Sequence, residues 1–138
     1  MSESQQAGKP CVLLIEPIPS WIVDRARGEF DLIVLQHESE RPAQFLDNAD
    51  RVRGVAMPGF AHVDAPLMEL MPNLEIVACF GVGYDGADVD YAVRNGIAVT
   101  NTPDVLTDCV ADLGMALILA ALRKVVEGDR CAGRQVGE

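Results

Sequence analysis

Three glycines, Gly81, Gly83 and Gly86, follow an apolar run in LEIVACFGVGYDGADVD with the spacing G-x-G-x-x-G. In dinucleotide-binding proteins this spacing places backbone N–H groups at a helix N-terminus around a pyrophosphate. Here the turn follows the fourth apolar run rather than the first, and Asp85 and Asp88 lie where a pyrophosphate would sit. We therefore interpret the turn as a smaller anion site, in which glycines that tolerate positive φ let successive N–H groups converge on one carboxylate.

Side chains that could carry metal or nucleophile chemistry are sparse. The four cysteines are far apart, none forms a C-x-x-C pair, and only two histidines could join them, which argues against a zinc site. His62, two residues from Asp64 in a predicted loop, has the chemistry of a general base, although an exposed loop histidine is the commoner case. No Ser-His-Asp or Cys-His spacing is evident. We predict no catalytic residue and no metal ligand in this chain.

Five short apolar runs recur along the chain and predict the strands of a parallel sheet: CVLLIEP, DLIVLQ, VRGVAMPG, LEIVACFG and IAVTN. Unbroken runs of Val, Ile and Leu are typical of strands that are buried on both faces. Amphipathic segments lie between them, and the predicted helices span residues 20–28, 42–48, 65–71 and 88–95. This alternation predicts a doubly wound α/β domain with flavodoxin-like strand order.

The predicted helix ends rest on local signals. Gly28 and Gly96 lie where helix C-caps belong, and Pro42 suits a first helical turn. A longer helix is predicted over residues 107–127, with Thr107 as its N-cap and Gly128 as its stop. Its middle, LGMALILAAL, is apolar nearly all round, which indicates burial against something beyond its own domain.

The carboxyl ends of parallel strands are where doubly wound sheets collect ligands. The candidate loops are residues 16–19, 57–62, 81–85 and 101–107, and Phe60 in the second is a candidate pocket residue. A receiver domain needs an acidic pair after the first strand, a phosphoacceptor Asp after the third and a Lys near the fifth, whereas this chain offers only Glu16, MPG and no Lys at these places. A flavodoxin needs a hydroxyl-rich phosphate loop after the first strand, which EPIPSW does not provide. The loops therefore favour another member of this fold class.

Composition excludes several partners. The 138 residues have a net charge of -10 and a pI of about 4.5, which argues against nucleic acid and anionic membranes. The longest apolar run is much shorter than a membrane-spanning helix, and MSESQQAGKP lacks the apolar core of a signal peptide. Cys11 and Cys79 lie in predicted buried strands, as reduced cysteines do. We expect a soluble, cytoplasmic protein.

Residues 73–130 carry three motifs in order: GVGYDGADVD, then GIAVTNTPDVLTD, then a helix that contains VADL and closes in EGDR. This half of the chain resembles the D-isomer-specific 2-hydroxyacid dehydrogenases, nearest to the hydroxypyruvate and glyoxylate reductases. Residues 10–72 resemble them only in the order of elements, with MPGF at the position of the pocket loop. The resemblance implies a substrate-binding domain over residues 9–104, followed by an interdomain helix and tail over residues 105–138.

The resemblance also implies particular site residues. The backbone amides of Val82 and Gly83, with Gly81 in the same turn, would bind the substrate carboxylate, and Met57 and Phe60 would belong to the pocket loop. Phosphite-oxidising relatives place a Lys at the position of Val82, so its absence here favours an organic 2-oxo or 2-hydroxy acid.

By the same resemblance, Leu106 and Thr107 would face the nicotinamide end of NAD or NADP across a cleft. The family is also dimeric, which implies a homodimer.

The family's cofactor fingerprint, its substrate-orienting Arg, its acid and its proton-transferring His have no counterpart in these residues, and CAGRQVGE departs from the expected ending. We therefore expect the substrate-binding part of an enzyme that reduces glyoxylate or hydroxypyruvate, inactive alone, whether as a truncated product or through an altered reading frame. A non-catalytic module that dimerises through residues 107–126 is the alternative, and a non-functional remnant is a third.

Overall fold

The central sheet has five parallel strands in a computed structural model that describes residues 8–135. The order β2-β1-β3-β4-β5 confirms the predicted flavodoxin-like topology. The strands are β1 (Cys11–Ile15), β2 (Asp31–Leu35), β3 (Val52–Pro58), β4 (Ile76–Phe80) and β5 (Ala98–Thr100). Their unbroken apolar runs bury side chains on both faces, because successive residues of a strand point to opposite sides.

Two apolar clusters cover the two faces of the sheet. Leu13 and Ile15 belong to the larger cluster, whereas Leu14, between them in β1, packs with Val23 in the smaller one. Val23 lies on α1 (Ser20–Glu29), which therefore covers the smaller face. The larger face is covered by α2 (Ala43–Leu46), α3 (Ala65–Glu69) and α4 (Val89–Arg94), which contribute buried residues to the larger cluster.

The helix ends agree only in part with the prediction. Gly96 follows α4 with a φ of 71°, which suits glycine, as expected for its C-terminal position. Gly28 was wrongly predicted as a C-cap, because it lies inside α1, which ends in an extended Phe30. Pro42 precedes α2 as its N-cap instead of lying in its first turn. The second predicted helix is shorter than expected and continues into a 3-10 turn at Ala49–Arg51.

The predicted long C-terminal helix is two helices, α5 (Thr107–Leu122) and α6 (Val125–Gln135). The break falls at Lys124, whose φ of 51° is incompatible with a continuing helix. Gly128, predicted as the stop, lies within α6, since an interior glycine costs only about 1 kcal/mol. Thr107 is the first helical residue rather than the cap; Leu106 is the cap, and no side chain caps this end.

The chain divides into two units, one extending to Pro103 and the other beginning at Asp104. Within the second unit α5 contacts α6, and no residue of α5 is buried. Between residues 8 and 135, no helix combines the length and apolarity that crossing a bilayer requires.

Candidate functional site

A cleft of about 620 Å³ opens at the carboxyl ends of β1, β3 and β4. Its walls are residues 17–19, 58–60 and 80–83, which fall in or next to three of the four loops predicted from the sequence. These strands are neighbours in the sheet, so their loops are necessarily adjacent. The topology, rather than any single side chain, creates the cleft.

Glycines let the loops after β3 and β4 approach each other closely. Gly81 has a φ of 152°, a conformation that L side chains rarely adopt. A Cβ added to Gly59 would lie 3.3 Å from the carbonyl oxygen of Gly83, so the two backbones nearly touch. A Cβ at Gly86 would lie 2.0 Å from the carbonyl oxygen of Ala61, which no side chain can accommodate. Gly86 is therefore a packing residue and not part of a phosphate loop.

Three consecutive carbonyls fix the orientation of the turn after β4. The carbonyl of Phe80 accepts from the N–H of Gly59 at 3.1 Å, on the β3 side. The carbonyl of Gly81 accepts from the N–H of Thr102 at 2.9 Å, and that of Val82 from Asn101 Nδ2 at 2.7 Å, both on the β5 side. A continuing strand would alternate its carbonyls, so the chain departs from strand geometry between residues 81 and 82.

The backbone N–H groups of Val82 and Gly83 have no hydrogen-bond acceptor among residues 8–135. In a trans peptide the N–H points opposite to the C=O, and both preceding carbonyls face the β5 side. Both N–H groups therefore face away from β5 and towards the cleft. Loop 58–60 forms the opposite wall of the cleft. Two such donors suit a carboxylate, at about 1.5 to 3 kcal/mol for each charge-assisted bond.

Among residues 8–135, no charged side chain lines the cleft. Its walls are prolines, glycines and the apolar side chains of Ile18, Phe60, Phe80 and Val82. An apolar wall strengthens a hydrogen bond to an anion but supplies neither a countercharge nor a proton. This arrangement can bind and orient a small carboxylate, and it contains no group that could transfer a proton to the substrate.

A dinucleotide does not fit the glycine turn. The side chain of Asp88 accepts from the N–H of Tyr91 at 2.9 Å and so caps the N-terminus of α4. A pyrophosphate at this helix end would be repelled by the Asp88 carboxylate, which already accepts from the Tyr91 N–H that the pyrophosphate would need. The glycine spacing is therefore not a nucleotide fingerprint here.

The residues predicted for the pocket separate into two groups. Gly81, Val82 and Gly83 line the cleft, as does Phe60, whose side chain is 71% exposed. The structure does not bring Met57 there, because it is fully buried in the larger core cluster. Met57 is two residues from Val55 and shares its inward face of β3, so the pleat directs it into the core.

The residues predicted to face a cofactor, Leu106 and Thr107, lie at the start of α5 in the second unit. Leu106 is about half exposed, and Thr107 is exposed. Their role stays a prediction.

The remaining chemical candidates have structural roles or none. His62 is exposed, and the carboxylate of Asp64 accepts from the N–H of Leu67 at 3.1 Å, capping α3 instead of orienting the histidine. Burial raises the pKa of the Cys11 and Cys79 thiols, so neither thiol has the character of a reactive thiolate. Within the described part of the chain, no cluster of His, Cys, Asp or Glu could hold a metal ion.

Asn101 is a residue of this site that the sequence did not single out. The loop after β5 is a predicted candidate loop, but the hydrogen bond from its first side chain to the Val82 carbonyl depends on how two loops meet. An amide side chain directly after a strand, in IAVTN, is the only signal that the sequence offers.

Comparison with known proteins matches most of this chain to one protein family. The sequence profile described as D-isomer specific 2-hydroxyacid dehydrogenase, catalytic domain, matches residues 12–132. A glyoxylate reductase from Pyrococcus horikoshii is 42% identical over 123 residues, which are 88% of this chain and 37% of that protein. The chain thus spans little more than a third of the length of this relative.

Solved structures agree with this match. A 2-hydroxyacid dehydrogenase from Ketogulonicigenium vulgare superposes with a TM-score of 0.83 at 37% identity, covering 94% of this chain and 42% of that one. An NADPH-dependent glyoxylate/hydroxypyruvate reductase from Sinorhizobium meliloti, solved with NADP and malonate, gives 0.76 at 38% identity, covering 95% and 40%.

Proposed function

Because this chain belongs to the D-isomer-specific 2-hydroxyacid dehydrogenases, within their catalytic domain, we propose that it is the substrate-binding part of an NAD(P)-dependent reductase of small 2-oxo acids. Glyoxylate and hydroxypyruvate are the substrates we propose, since the similar proteins from Pyrococcus and Sinorhizobium are named for them. In this proposal residues 9–104 form the substrate domain, and α5 and α6 belong to an interdomain segment that begins at residue 105.

One observation carries the proposal: the adjacent N–H groups of Val82 and Gly83, which have no acceptor in the described part of the chain, border an open cleft. We assign them the substrate carboxylate, with Gly81 allowing the turn that directs them. Phe60 forms the wall beside the rest of the substrate. The carboxylate of a 2-oxo acid matches this pair of donors, because each of its two oxygens can accept a hydrogen bond from one N–H.

Reduction of a 2-oxo acid needs more than these groups. A nicotinamide supplies the hydride, a cation holds the carboxylate and carbonyl, and an acid delivers a proton. The described residues that line the cleft carry no charge, and its glycine turn does not accept a dinucleotide, so we assign those groups to residues outside this cleft. Leu106 and Thr107 would face the nicotinamide. Residues 1–138 alone are expected to bind substrate without reducing it.

The first test is a ¹H–¹⁵N NMR titration of the chain with pyruvate, a simple 2-oxo acid that remains a ketone in water. The Val82 and Gly83 amide signals should move most, with a Kd of about 1 mM or weaker, because two amide bonds supply about 3 to 6 kcal/mol before binding entropy is subtracted. Methyl pyruvate, which lacks the carboxylate, is the matched control ligand. Equal shifts with both compounds, or shifts elsewhere, would exclude the carboxylate site.

A second candidate function is a non-catalytic dimerisation module. The observation that favours it is α5, which carries many apolar side chains and buries none of them within its own unit. Size-exclusion chromatography with light scattering, run beside the titration, separates the two functions: a dimer without pyruvate binding supports the module, and pyruvate binding supports the reductase. The reductase proposal itself includes a homodimer.

The four free cysteines fit a reducing compartment, and we propose the cytoplasm as the location.

A further inference from the structure

We propose that Asn101 is a positioning residue, whose side-chain amide aims the Gly83 N–H into the cleft by holding the carbonyl of Val82. The inference rests on the proposed function, because that N–H has a task only if a carboxylate binds there. Asn101 itself is not part of the lining of the cleft. It borders a separate hollow of about 230 Å³, together with Tyr84 and Val99.

The geometry follows from one peptide plane. Asn101 Nδ2 lies 2.7 Å from the Val82 carbonyl oxygen. That carbonyl and the Gly83 N–H belong to the same trans peptide, so they point in opposite directions. Holding the oxygen on the β5 side therefore holds the hydrogen on the cleft side.

A side chain is needed because the backbone cannot supply a second donor. The N–H of Thr102 already donates to the Gly81 carbonyl, which fixes the preceding peptide and with it the Val82 N–H. β5 ends at Thr100, so no strand residue of β5 lies beside the chain that follows β4 and could pair with it. Asn is suited to this position, since its amide has two N–H donors.

The held peptide precedes a glycine. Gly83 has no Cβ, so its φ meets few steric barriers, and the Val82–Gly83 peptide could turn its N–H away from the cleft. A Cβ at Gly83 would meet only the carbonyl oxygen of Gly59, at 4.0 Å, so the side-chain side of this residue is open space. The hydrogen bond from Asn101 is the restraint that the structure provides.

The test compares Asn101→Ala and Asn101→Asp with the unaltered 138-residue chain in the NMR titration with pyruvate. Asp has the shape of Asn but no N–H donor. We expect both variants to weaken pyruvate binding about tenfold or more, with Asp the weaker of the two because its charge repels the ligand. Asn101→Gln keeps the donor on a longer side chain and should recover part of the affinity.

Asn73→Ala is the matched control. Asn73 Nδ2 donates to the Asp50 carbonyl, also at 2.7 Å and between distant segments, but next to the amino ends of β3 and β4. This variant should lose comparable stability in urea unfolding and retain the pyruvate Kd. A scalar coupling across the hydrogen bond, between Asn101 Nδ2 and the Val82 carbonyl carbon, detects this hydrogen bond in the absence of ligand.

The outcomes separate the two proposals. If the unaltered chain binds pyruvate and the Asn101 variants bind equally well, or if Asn73→Ala weakens binding as much, the positioning role is overturned and the carboxylate site stands. If the unaltered chain does not bind pyruvate, the proposed function falls and this inference falls with it. Weak binding by Asn101→Ala and Asn101→Asp alone, with the coupling present in the unaltered chain, supports the positioning role.

Discussion

The two ends of the sheet treat polar groups in opposite ways. At the amino ends of the strands, a hollow of about 370 Å³ is bordered by Lys9, Arg51 and Arg53, yet each cation already has a protein partner. Lys9 donates to a backbone carbonyl, Arg51 pairs with Asp31 at 2.7 Å, and Arg53 pairs with Glu75. At the carboxyl ends, the cleft residues that the structure describes carry no charge, and two backbone donors have no acceptor within residues 8–135.

In our proposal, available donors rather than positive charge mark the anion site. A cation that is already paired gains little from a second anion, because exposed ion pairs in water are weak and the existing partner competes. An unpaired N–H at an apolar wall has no such competitor. The following predictions test this contrast in order of decreasing effect.

Gly86→Ala should destabilise the carboxyl end most. The new Cβ would overlap the Ala61 carbonyl, and relieving that contact should lower the free energy of unfolding by about 3 kcal/mol in urea denaturation. Gly28→Ala is the matched control, because no atom lies within 4 Å of its Cβ and it is helical; it should raise stability by about 0.5 to 1 kcal/mol. Equal stability of both variants would contradict the close approach of these loops.

Gly83→Pro removes one of the two open donors. We expect pyruvate binding to weaken about ten- to a hundred-fold, the value of one charge-assisted hydrogen bond, with NMR titration as the measurement. Gly83→Ala retains the N–H in open space and should bind within about threefold of the unaltered chain. Similar affinities for the Pro and Ala variants would show that this N–H does not contact the ligand.

Alkaline pH should destabilise the fold through Cys11 and Cys79, one near each end of the sheet. Burial raises the pKa of both thiols above the ordinary value of 9.0; at Cys11, Asp31 adds to this rise and Arg51 opposes it. Because the unfolded chain loses these protons first, the stability that each thiol contributes should fall as the pH rises through and above 9, by up to about 1.4 kcal/mol per pH unit for each thiol. Cys11→Ala and Cys79→Ala should each flatten this decline in urea unfolding measured at a series of pH values, and an unchanged decline would contradict the role of these thiols.

Arg51→Met should have the smallest effect. The ion pair with Asp31 is about half exposed, so its loss should cost under about 1 kcal/mol of stability and leave the pyruvate Kd unchanged. Calorimetric unfolding and the same titration measure both quantities. A clear loss of pyruvate affinity would place the anion site at the amino ends after all.

Much of this architecture could be predicted because the periodicity of apolar residues is a local signal. The five runs predicted the strands, and their alternation with helical segments predicted the doubly wound fold class and so its strand order. The glycine turn could be distinguished from a nucleotide loop by its position after the fourth run and by Asp88. The break at Lys124 could not be predicted, since a left-handed residue other than glycine leaves no compositional mark. Met57 was misplaced by attention to loop position, although its spacing from Val55 marks it as core.

The role of Gly86 and the bond from Asn101 depend on contacts between loops that are distant in sequence. Such contacts follow from strand order and register, which no single segment encodes.

The anchored carbonyls of Phe80, Gly81 and Val82 also bear on kinetics. A recess whose donors are already oriented needs no rearrangement when an acid arrives, so association should approach the rate of diffusional encounter. With a Kd of about 1 mM, such fast association implies fast dissociation. The signals of the bound and free protein should therefore average into one resonance. Small carboxylic acids could therefore be screened against this recess as fragments, with the Gly83 signal as the reporter.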